Sequence, residues 1–159
     1  MTLLAWTLGT FHTTILGIVL LRLLYPGGGL GQALSGLSTL TGLALFVALW
    51  VTTVFTTGRA FRGLDVLGDS PPAGAVYRRA LRWGAANGVL FFAAVVVILV
   101  ANTLASAAPG VQIGAILTIA AFEGIIGTLF AFAIGSVTGL VLATIDLAAL
   151  RIARAIVSS

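Results

Sequence analysis

Few side chains in this 159-residue chain can do acid–base or ligand chemistry. There are one His, four acids, eight Arg and no Cys. His12 stands at the middle of an apolar run, the most costly place for a polar ring. An imidazole there could relay protons or ligate a haem iron. A bis-His haem site within the chain is impossible with a single His, and Met1 lies at the wrong depth to serve as second ligand. The plainer role for His12 is a neutral ring bonded to a backbone carbonyl or to Thr13 or Thr14. Glu123 is the other candidate. If its helix starts near Gln112, Glu123 is carried inward toward the level of His12, and the two could pass protons. If the span starts at Gly124, Glu123 meets water at the interface, and this second geometry is the one expected. Asp146 is expected near the inner boundary, solvated or paired with an Arg at a helix end.

Other chemistries are excluded by what is missing. Without Cys there are no disulfides, thiol catalysis, Fe–S clusters or Cys-ligated zinc. There is no HExxH, no GxSxG, no carboxylate pair at helical spacing within a span and no His cluster. The Gly clusters lack the strand–loop–helix context and the Lys that a phosphate-binding loop requires. Catalysis usually needs two groups with matched roles, so the expectation is no enzyme, no cofactor and no metal.

The elements that must position these residues are set by hydropathy. Apolar residues make up 60% of the chain and charged residues 8%, with a mean hydropathy of +1.19. A soluble domain is about 25% charged, so the composition excludes an ordinary soluble protein and a nucleic-acid module, despite a pI of 11.2. The pattern predicts a single all-α domain over residues 1–159, an integral membrane bundle of four transmembrane helices. Spans of about 20 apolar residues fall at about 3–24, 33–57, 84–104 and 124–145. Tyr25-Pro26-Gly27-Gly28-Gly29 stops the first. Residues 58–83 form an Arg-rich loop, within which Ala73–Trp83 restarts a helix leading into the third span.

Residues 111–159 admit two readings. One makes a single long helix spanning at 124–145, with Glu123 and Asp146 bracketing the span. The alternative makes five transmembrane helices, with a turn at Gly135–Gly139. Small residues recur every fourth position at Gly127, Ala131, Gly135, Gly139 and Ala143, straight through the supposed turn. That is the ridge of one continuous, closely packed helix. The single helix also keeps both acids out of the bilayer centre, where each costs at least about 2.5 kcal/mol.

Arg59, Arg62, Arg78, Arg79 and Arg82 lie in the 58–83 loop, while the other two connections have no Arg. The positive-inside rule then puts that loop, and with alternating spans both termini, in the cytoplasm of a multi-pass cell-membrane protein. The same five arginines are expected to meet lipid head groups, and Trp6 and Trp83 to sit at the inner interface. With few ionisable groups in the spans and a long small-residue ridge, the expected function is a non-catalytic accessory or structural subunit. It would pack against other membrane subunits or in a homo-oligomer, with membrane lipids and no nucleic acid as partners. The alternative is a small channel or proton-coupled transporter using His12 and Glu123.

Overall fold

A computed structural model describes residues 3–24, 38–63, 73–105 and 113–157. All four described elements are helices: α1 Leu3–Leu24, α2 Thr39–Ala60, α3 Ala73–Ala105 and α4 Ile113–Val157. Tyr25–Gly29, the start of the second expected span and the acids Asp65 and Asp69 lie outside the described residues. Three of the helices are long and apolar enough to cross a membrane: α2, α3 and the stretch Ile116–Ala153 of α4. A multi-pass membrane protein is consistent with that.

Local signals explain the ends. Ser38 caps α2, its Oγ accepting from the Thr41 backbone N–H at 3.1 Å. At the other end the Phe61 N–H donates to the Thr57 carbonyl at 3.1 Å. Gly63 then takes a left-handed φ of 72°, which suits glycine. Helix α3 begins at Ala73, straight after Pro71-Pro72, as expected.

Helix α4 runs 45 residues without a break, about 68 Å at 1.5 Å per residue. The five-helix alternative, with its turn at Gly135–Gly139, is therefore not what forms. These glycines serve close packing and not a turn. A Cβ on Gly139 would stand 2.9 Å from the Gly84 Cα, and one on Gly135 3.0 Å from the Gly88 Cα. A Cβ on Gly88 would overlap the Ala131 carbonyl oxygen, and one on Gly127 the Phe92 ring. The ridge from Gly127 to Gly139 is thus occupied by α3 of the same chain, on the face where another subunit was expected.

Directions follow from which residues meet. Tyr77 faces Thr144 and Gly88 faces Ala131, so α3 and α4 are antiparallel. Thr53 meets Asn87 and Arg62 meets Arg79, so α2 and α3 are antiparallel as well. Trp6 packs on Trp50, Gly9 on Val54 and His12 on Thr57, so α1 and α2 point the same way. The expectation that both termini share one side rested on strict alternation, and the first pair does not alternate. The start of α1 lies beside the middle of α2, while the end of α4 lies at the end of the bundle to which α1 and α2 both run. One end collects Arg22 from α1, Arg59 and Arg62 from α2, Arg78, Arg79 and Arg82 from α3, and Arg151 and Arg154 from α4.

The interior is polar relative to the outside. Among the described residues His12, Thr13, Thr41, Thr53, Thr56, Thr57, Ser136 and Asp146 are buried, against five buried apolar side chains: Val54, Val76, Ala85, Leu142 and Ala143. Large apolar residues such as Phe122, Ile125, Leu129 and Ile134 point outward. Water-soluble domains show the reverse.

Candidate functional site

Helix α1 delivers its imidazole by a close approach. Gly9 has no side chain, and a Cβ there would stand 2.7 Å from the Val54 Cα, so α1 lies directly on α2. The Thr13 hydroxyl folds back to the Gly9 carbonyl at 2.8 Å and leaves the crossing free of unpaired hydroxyls. One turn along from Gly9, the His12 ring enters the space between the last turn of α2 and the C-terminal third of α4.

There His12 Nε2 lies 3.0 Å from Asp146 Oδ1, and Nδ1 lies 3.4 Å from Thr57 Oγ1. His12 is 4% exposed and Asp146 6%, so both side chains are buried. A carboxylate only accepts, so Nε2 carries the proton and Nδ1 accepts from the Thr57 hydroxyl. In the imidazolium form both nitrogens donate, and the Thr57 hydroxyl can turn to accept. The arrangement holds either protonation state without moving a heavy atom. Such a pair is costly to desolvate and is kept only where its geometry is good.

The pair forms part of the lining of a partly open cavity of about 510 Å³. Thr53 and Asn87 are on the same wall. Asn87 Nδ2 donates to Thr53 Oγ1 at 3.3 Å, while its buried Oδ1 has no protein partner. The rest of the lining is largely apolar, including Leu49, Phe91, Phe92 and Ile134. A cavity of this size with a few converging polar groups has the make-up of a small-molecule site.

The structure separates the two residues singled out as a relay. Glu123 is exposed on α4, 23 residues before Asp146 on one continuous helix. The two carboxylates are therefore about 35 Å apart, and His12 sits with Asp146. Asp146, expected to be solvated or Arg-paired, is instead buried against His12. The clue lay in the small-residue ridge: Asp146 follows Gly139 by seven residues, two turns on the same face, and that face points into the bundle.

A second group gathers at the arginine-bearing end. Arg59, Arg62, Arg78, Arg79 and Arg82 line a cleft of about 430 Å³ together with Trp83. The Arg79 guanidinium donates to the Arg62 carbonyl at 2.7 Å, tying the end of α2 to the start of α3. The Arg59 guanidinium stacks over Phe55, 5.1 Å from the ring centre.

Compared with known families, one family model matches the chain over residues 1–159. The chain belongs to DUF7965, a family of unknown function. No curated protein and no solved structure matches it. Membership in DUF7965 brings no chemistry with it, so the chemistry of this member is what its side chains can do. The His12–Asp146 pair sets an imidazole hydrogen-bonded to a carboxyl group beside a cavity, and the cleft gathers five guanidinium groups.

Proposed function

We propose that this DUF7965 protein is a non-enzymatic, multi-pass protein of the cell membrane that moves protons in step with occupancy of its cavity. The observation that carries the reading is the buried His12–Asp146 pair on the cavity wall. Ionisable groups inside membrane bundles commonly mark ion or proton pathways. Helices α2, α3 and α4 cross the bilayer in this reading, with the first half of α1 packed along α2. The 22 uncharged residues between Glu123 and Asp146 measure about 33 Å, close to the thickness of a hydrocarbon core. The arginine-bearing end faces the cytoplasm, where the positive-inside rule puts it. The pair then sits near the cytoplasmic boundary, with the cavity between it and the bilayer interior, and Glu123 at the opposite boundary plays no part in the relay.

The test is proton entry into liposomes carrying the purified protein and a trapped pH-sensitive dye, driven by a potassium diffusion potential. The wild type is expected to acidify the interior. Asp146→Asn and His12→Gln, which keep polar groups in the buried pair, should abolish this while eluting as the same folded particle, and Glu123→Gln should leave it intact. A wild type no leakier than empty liposomes overturns the reading.

A second reading, a non-catalytic subunit of a homo-oligomer or larger membrane complex, draws on a different observation. Among the described residues no large apolar side chain is fully enclosed, so lipid or other helices must complete the packing. Mild extraction and mass measurement of the native particle separates the two: stoichiometric partner polypeptides favour the subunit, and a particle of this chain alone favours the proton site.

A further inference from the structure

The arginine cleft carries more positive charge than the chain can neutralise. Residues 58–83 hold five Arg and only two acids, Asp65 and Asp69. Even with each acid paired to one Arg, three guanidinium groups remain uncompensated. The other two acids are committed elsewhere: Asp146 to His12, and Glu123 to a point about 35 Å farther along α4. Guanidinium forks match the oxygens of a phosphate in pairs, so the missing partner is a phosphate-type anion.

The cleft does not stand alone. Arg79 and Trp83 line both the cleft and the cavity, so the two share a wall. A cationic cleft adjoining an apolar cavity across Arg79 and Trp83 fits a molecule that is anionic at one end and hydrocarbon at the other. Trp83 at the junction is the side chain expected where head group meets acyl chain.

We infer that the cleft and cavity together form a binding site for one anionic phospholipid. Its phosphate lies among Arg62, Arg79 and Arg82, and one acyl chain enters the cavity past Trp83 toward Phe92. This deepens the proton-site reading only in naming the occupant of the same cavity, and it stands or falls on its own measurement.

The experiment is native mass spectrometry of the full-length protein in mild detergent. The probes are phosphatidylglycerol, phosphatidylcholine with the same chains, and inorganic phosphate. One phosphatidylglycerol should be retained in preference to phosphatidylcholine, and inorganic phosphate should fail to displace it. Arg82→Gln, at an exposed position, should weaken retention roughly fivefold, the worth of one arginine at an anionic surface. Arg79→Gln should weaken it at least as much. Because Arg79 also ties α2 to α3, Arg82→Gln decides if that variant does not fold. Equal retention of the two lipids overturns the inference, as does retention indifferent to Arg82→Gln. Displacement by inorganic phosphate overturns the acyl-chain half and leaves a bare anion site. Lipid retained by a wild type that passes no protons supports the lipid site and ends the proton reading. Lipid lost from a wild type that passes protons does the opposite.

Discussion

At the scale of single residues, the decisive contact is His12 with Asp146. Removing one partner of a buried pair strands the other, at a cost of about 3–5 kcal/mol where this has been measured. Asp146→Ala should therefore lower the thermal unfolding midpoint sharply, followed by tryptophan fluorescence in detergent. Replacing both residues by Leu should recover most of the loss, because neither member of the pair is then stranded and only the Thr57 hydroxyl loses a partner. A double Leu variant as unstable as Asp146→Ala would mean the pair is not the source of the effect. Half of this site was legible in the sequence. A lone His in an apolar run announces itself because its desolvation is expensive. Its partner did not, because the same cost argument assigns an acid at the edge of a span to water. Only the packing of α1 on α2, fixed by Gly9 against Val54, brings residue 12 level with residue 146.

At the scale of elements, α3 and α4 form the most closely packed pair, backbone against backbone through glycine. Gly88→Leu must push the two helices apart, since even a Cβ overlaps the Ala131 carbonyl. It should cost several times the roughly 1–3 kcal/mol usual for overpacking, read as loss of the folded particle by size-exclusion chromatography. Gly124→Ala, at an open position on α4, is the control. Nothing lies within 4 Å of a Cβ there, and Ala favours helix by about 1 kcal/mol over Gly, so stability should hold or rise. The unbroken course of α4 was readable from the spacing of its small residues, because a four-residue repeat only makes one ridge if the helix continues. Which helix fills the ridge was not readable. Gly84 and Gly88 of α3 are the counterpart, but two glycines four apart occur often by chance in a chain with 20 glycines.

At the scale of the whole molecule, polarity is turned inside out and charge is gathered at one end. Composition alone made the first legible. The second was only partly so, because Arg22 looks misplaced until α1 is seen to run alongside α2. The chain lacks Cys, so single-cysteine variants report each end cleanly. Leu40→Cys, at the start of α2, and Ile156→Cys, at the end of α4, should react with an impermeant maleimide from opposite faces of sealed vesicles. Reaction from the same face would mean that α2 and α4 do not share a direction in the membrane. The pairing of His12 with Asp146 also sets a clock on biogenesis. The two residues are 134 positions apart, and chains grow by about 5–20 residues per second, so Asp146 is synthesised roughly 7–27 s after His12. For the first 45 residues of that interval α1 lacks even Thr57, and for the rest its imidazole has that hydroxyl but not Asp146. The helix made first thus waits on the helix made last, and a ribosome stalled before residue 146 leaves α1 packed on α2 through Gly9 and Val54 with its imidazole short of its partner.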